Sequence, residues 1–124
     1  MLGTLYSVTI HLHGTLSADA VGAFKLPGAA TLLEISANAE NDSDATIDVG
    51  DAGDPDGVID GATIGDSGTP TVLDADDFNG DLANASDPYH YPVGDREVHW
   101  SLDHDGDNGT AAQNVTIVFW FLEG

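Results

Sequence analysis

The sequence predicts an all-β fold, an antiparallel β-sandwich or jelly-roll-like arrangement of about seven or eight strands with long Asp/Gly-rich loops. Three features predict it. Apolar residues recur at every second position through several separate segments, the period of a half-buried strand. Eighteen Asp stand against four Glu, and Asp serves turns and loops where Glu favours helices. Fifteen Gly and five Pro supply many short connections, and they interrupt every segment that might otherwise build a helix.

The elements follow in chain order. Residues 4–16 alternate, with Tyr6, Val8, Ile10 and Leu12 on one face and Ser7, Thr9, His11 and His13 on the other. Residues 17–29 have no clean period, and Gly22, Pro27 and Gly28 break any helix that Ala18, Ala20 and Ala23 would support. That stretch reads as a connection crossing the fold, anchored by Phe24 and Leu26. Residues 30–38 form a strand with Leu33, Ile35 and Ala37 on one side and Leu32, Glu34 and Ser36 on the other; after an acidic turn, residues 44–49 turn Ala45, Ile47 and Val49 inward. Between Gly50 and Asp95 strands are expected only at 58–64 and 69–73. The Tyr89-His90-Tyr91 stretch, bounded by Pro88 and Pro92, reads as part of long surface loops. Regularity returns at 96–103, with Val98, Trp100 and Leu102 on one face, and at 113–122. In that last strand Val115, Ile117, Phe119 and Phe121 oppose Thr116, Val118, Trp120 and Leu122. Two apolar faces put it in a sheet centre, or set its second face against another chain. The first and last strands are expected to share a sheet. Residues 1–124 form a single domain, with no internal repeat or linker and a long acidic loop region at about 50–95.

Charge narrows the function classes. The formal net charge is −20, with one Lys and one Arg, so the chain repels nucleic acid and anionic membrane surfaces alike. Nineteen of the twenty-two acids lie between Glu40 and Asp107. The charge therefore belongs to the loops, on an apolar strand framework whose 41% hydrophobic content excludes a disordered acidic tail. Without Cys there are no disulfides and no thiolate metal site. Met1 to Ile10 lack a basic segment followed by an apolar run, and no stretch approaches the roughly 20 apolar residues of a membrane span, so a soluble chain made in the cytoplasm is expected.

Two Asp clusters stand out as candidate cation sites. Asp48, Asp51, Asp54, Asp56 and Asp60 form the first, and Asp103, Asp105 and Asp107 the second. Calcium takes six to eight oxygens, and alternating Asp in a Gly-containing loop can supply several. Neither cluster has EF-hand spacing, and the alternative is that these Asp residues cap tight Asp-Gly and Asn-Gly turns. His11 and His13 share one strand face and could hold zinc if His99 joined them from another strand; the plainer reading is a half-exposed face. Tyr89, His90 and Tyr91 are either an exposed contact for sugar or protein or a lid on the core. No nucleophile elbow, His-Glu-x-x-His, phosphate loop or Cys nucleophile is present, and nothing singles out a carboxylate pair from twenty-two acids; no enzyme is predicted. Sequons at Asn41, Asn84, Asn108 and Asn114 follow from composition.

The segment FKLPGAATLLEISANAENDSDATIDVG at residues 24–50 and the terminal strand NVTIVFWFLEG at 114–124, in a small acidic all-β chain, resemble the decoration or cement proteins of tailed-bacteriophage heads. The resemblance implies a non-enzymatic virion protein made in the host cytoplasm. It would bind the outer capsid lattice against the major capsid protein, commonly as a homotrimer. No catalytic residue and no metal motif carry over, so calcium at the Asp loops is an inference from composition alone. Partner contacts are expected at Trp120 and Leu122 on the last strand and at Tyr89 and Tyr91. Two other readings compete: a calcium-dependent binding or adhesion module for cell-surface glycans, and a halophilic cytoplasmic protein, against which the scarcity of Glu counts.

Overall fold

The computed structural model describes residues 3–83, 87–107 and 109–124; the sequons at Asn84 and Asn108 lie outside them. Among the described residues nine strands run in the order β1 (Leu5–Thr15), β2 (Ala20–Lys25), β3 (Ala30–Asn38), β4 (Thr46–Gly50), β5 (Ile59–Thr63), β6 (Thr71–Asp74), β7 (Tyr89–Tyr91), β8 (Glu97–Asp103) and β9 (Gln113–Glu123). One turn of 3₁₀ helix, Ala75–Asp77, follows β6 and is capped by Asp74. Sheet A has the order β1-β9-β3-β6, with β7 also paired to β3, and sheet B the order β2-β8-β4-β5. Every strand pair is antiparallel. The two sheets pack face to face, the sandwich that the alternation predicts.

The core lies between the sheets and is made from one face of each strand. Val115, Ile117, Phe119 and Phe121 of β9 are fully buried, as are Ile47 and Val49 of β4; Val98, Trp100 and Leu102 of β8 are buried with them. Phe121 is the aromatic centre, with ring centroids 5.5 Å from Tyr6, 6.2 Å from Phe24 and 6.4 Å from Tyr91. Phe24 reaches it from sheet B and also meets Phe119 edge-on at 5.2 Å. The terminal strands do share a sheet, with β9 central between β1 and β3. The inner face of β9 is core, while Trp120 and Leu122 of its outer face stay exposed.

Three sequence expectations need correction. Residues 17–29 are not merely a connection: Ala20–Lys25 form β2, paired along its length with β8. Its inward positions are Ala20, Gly22 and Phe24, and the alternation is faint because one of the three is glycine. A Cβ at Gly22 would lie 2.5 Å from the Trp100 ring, so the missing side chain makes room for the indole. Second, β3 carries a β-bulge at Leu33: Leu32 pairs with Phe121 but Glu34 with Trp120. The extra residue shifts the phase, so Leu32 is buried together with Ile35 and Ala37, and Leu33 is displaced from the inward set. Third, Tyr89–Tyr91 form a short strand on β3 rather than a surface loop. A further bulge in β1 places Gly14 at φ +80°, and its N–H donates to Asn114 Oδ1 at 2.7 Å.

Candidate functional site

Sheet A turns to solvent a face that is sparsely charged along β1 and β9 and carries Glu34 and Asp74 side by side on β3 and β6. The pairing sets Leu5 beside Leu122, Ser7 beside Trp120, Thr9 beside Val118 and His11 beside Thr116. On the other side of β9, Glu34 lies beside Trp120 and Ser36 beside Val118, and Val72 of β6 lies beside Ser36. Because the inward residues alternate with these, the same register that builds the core lines up the outer face. Leu5 is 59% exposed, Val72 53%, and Trp120 and Leu122 38% each. Leu5, Leu33, Glu34 and Trp120 enclose a shallow hollow of about 230 Å³. β1 contains no acid and β3 only Glu34, on a chain of net charge −20. An apolar, tryptophan-bearing strip rimmed by Ser, Thr and His, with the Glu34 and Asp74 carboxylates at its β3–β6 edge, has the composition of a protein-binding surface. Trp120 and Leu122, the contacts expected from sequence, are exposed here; Leu5 and Val72 join them through a strand order that periodicity does not reveal.

The Asp loops gather away from this face, around the β4–β5 and β8–β9 connections. Asp51 is 5% exposed, and its Oδ1 accepts from Gly53 N and Asp54 N at 3.0 and 2.8 Å. Its other oxygen accepts from the Tyr89 hydroxyl at 3.3 Å. Asp48 accepts from Gly61 N and Ser101 Oγ, and Asp105 from Asp44 N. These carboxylates cap loop backbone, the alternative role foreseen for them. Among the described residues Asp51, Asp54, Asp56 and Asp60 bring no three ligand atoms to one point, nor do Asp105 and Asp107 join Asp103 in doing so; the one convergent trio is Asp19, Asp103 and His104. Asp19 and His104 carried no sequence signal, since they are brought together by the β2–β8 pairing.

The aromatic and histidine expectations resolve by position. Tyr91 is fully buried and its hydroxyl donates to Gly50 O at 2.9 Å, tying sheet A to sheet B. It is a core residue and offers no surface contact. Tyr89 is half-buried, edge-on to Tyr91 at 4.7 Å, so the pair closes the core as a lid. Burial and the neighbouring Asp51 carboxylate push the Tyr89 phenol up to about 12. His11 and His13 lie on the outer face of sheet A, where His11 Nδ1 is 3.0 Å from Thr116 Oγ1. His99 lies on the outer face of sheet B beside Glu97, so the sandwich itself separates the three and no shared zinc site forms.

Crowded carboxyls titrate upward. A hydrogen bond to Asp56 and the charges around it raise Asp54; a hydrogen bond to Asp51 raises Asp95; burial, then a hydrogen bond to Asp42, raises Asp66. Groups raised in the fold contribute stability that is fully present below the unfolded aspartate value and is lost as pH rises through the folded values. Asp19 runs the other way: its hydrogen bonds to His104 lower it, so its contribution is present above the unfolded value and lost as pH falls through the folded one. The melting temperature should therefore be higher near pH 5 than near pH 8, with Asp19 alone losing its contribution as pH falls below the ordinary aspartate range. Thermal melts across that range check this, and a melting temperature that climbs steadily to pH 8 would contradict it.

No family model and no curated protein matches the sequence. Solved structures with the same fold do exist. A chain from the capsid asymmetric unit of cyanophage Pam1 superposes with a TM-score of 0.56 at 16% identity, covering 99% of this chain and 87% of that one. A chain from the capsid of Ralstonia phage GP4 gives 0.58 at 16% identity, covering 100% and 87%. The likeness spans the whole sandwich rather than a fragment of it, and at this identity what is shared is the fold.

Proposed function

We propose that this chain is a non-enzymatic structural protein of a tailed-phage virion, a decoration or cement protein. It binds the outer head lattice against the major capsid protein, braces neighbouring subunits and assembles as a homo-oligomer, with a trimer favoured. The observation that carries this reading is the full-length match in fold to chains from two phage capsids. The outer face of sheet A supplies the means, since exposed Trp120, Leu122, Leu5 and Val72 form an apolar strip where the chain's own charge is sparse. The Asp-rich loops then face solvent or a neighbouring copy, and their like charge keeps unassembled chains apart.

The glycan-adhesion alternative draws less from the fold, because Tyr91, one of its two contact tyrosines, is buried. Calcium at the loops remains separable by experiment: an ion bound only to the folded chain raises the melting temperature at millimolar calcium, and a chelator reverses it. The test of the main reading is to mix the purified chain with empty, undecorated heads of the phage that encodes it and sediment them. The chain should pellet with the heads at a fixed ratio and behave as a trimer by light scattering when free. A monomer that stays in the supernatant would overturn the reading.

A further inference from the structure

We propose that Asp19, Asp103 and His104 form a binding site for a first-row divalent transition-metal ion, zinc or cobalt rather than calcium. One ligand atom from each of the three lies within 4.8 Å of the others. They come from two places that the fold joins: Asp19 immediately precedes β2, while Asp103 ends β8 and His104 follows it. β2 and β8 pair up to Ala20 opposite Leu102, which holds the two segments in register.

The donors converge on one point, and the partner that the protein itself supplies there is His104, held by the Asp19 carboxylate. His104 is 5% exposed, with Nδ1 2.7 Å from Asp19 Oδ1. The same Asp19 oxygen accepts from His104 N at 3.0 Å, and Asp103 Oδ1 accepts from Asp105 N at 3.1 Å. Each carboxylate thus uses one oxygen to fix its loop and has a second to offer. The chain's two fixed cations are elsewhere: Lys25 ends β2, about 20 Å along the strand from Asp19, and Arg96 donates to Pro27 O. Three donors about 2.1 Å from one ion stand roughly 3–4 Å apart, so binding opens the 2.7 Å His104–Asp19 hydrogen bond slightly, releases the proton it holds and draws Asp103 in. The imidazole decides the class of ion, because calcium and magnesium prefer oxygen throughout, whereas zinc, cobalt and nickel take imidazole nitrogen. An acidic chain also concentrates divalent cations around itself. Water completes the coordination, and the ion ties the β1–β2 connection to the end of β8.

The site is independent of the capsid reading, and its test uses the isolated full-length chain. Cobalt(II) chloride should give a saturable visible absorption band at one equivalent, and zinc chloride should displace it. Calcium chloride at the same concentration should leave the band unchanged. Asp103→Asn keeps an oxygen for Asp105 N and leaves the Asp19–His104 pair intact, so the variant should fold while losing cobalt affinity by more than about tenfold. Asp19→Asn should lose it as well. The proposal is overturned if cobalt gives no saturable band, if calcium displaces it equally well, or if folded Asp103→Asn binds like the unaltered chain.

Discussion

Replacing Phe121 by alanine is expected to destabilise the protein by about 3–5 kcal/mol, the range for removing a large aromatic from a packed core. Phe121 is wholly buried and is the one ring that touches Tyr6 and Tyr91 of its own sheet and Phe24 of the opposite sheet. The cavity left has no easy way to collapse. β9 is held on both sides by β1 and β3, so its backbone cannot move inward without breaking two ladders. Against a total stability of roughly 5–15 kcal/mol for a domain, such a loss leaves the variant at the edge of folding. Urea titration followed by tryptophan fluorescence measures it, and a loss under about 1 kcal/mol would mean that the aromatic cluster is not the seam between the sheets.

Truncating Trp120 to alanine should do the reverse, sparing the fold and weakening head binding by about 30-fold or more, the signature of an interface hot spot worth at least about 2 kcal/mol. Trp120 and Phe121 are adjacent in sequence and point to opposite faces of β9, so the two substitutions separate docking from stability within one strand. Val21→Ala is the control. Val21 is 78% exposed, but on β2 of the other sheet, and its loss should leave head binding intact. Co-sedimentation with empty heads reads both variants. If Val21→Ala abolished binding while Trp120→Ala did not, sheet B would be the docking face.

Much of this was legible in the alternation of residues. The inward faces of β1, β4, β8 and β9 all follow from period two, because each of those strands packs one face against the opposite sheet. The failures share a cause, which is local irregularity created by tertiary contact. β2 hides because Gly22 vacates space for Trp100, and β3 reads out of phase because Leu33 is an extra residue in the ladder. β7 is three residues between prolines, too short to show a period. For the candidate site, Trp120 and Leu122 were visible as an apolar second face on the last strand, but Leu5 and Val72 needed the strand order. In the Asp loops, Asp51 caps the backbone N–H groups of Gly53 and Asp54, a role its spacing shares with a cation ligand, while the convergent trio draws on Asp19, far away in sequence.

The most direct test of the central claim is a cryo-EM reconstruction of empty heads before and after addition of the purified chain. Added density on the outer shell should fit the two-sheet sandwich with the Trp120 face of sheet A buried in a protein contact and the Asp-rich loops clear of it. Heads that gain no density, or density in which Trp120, Leu122, Leu5 and Val72 all face solvent, would contradict the account.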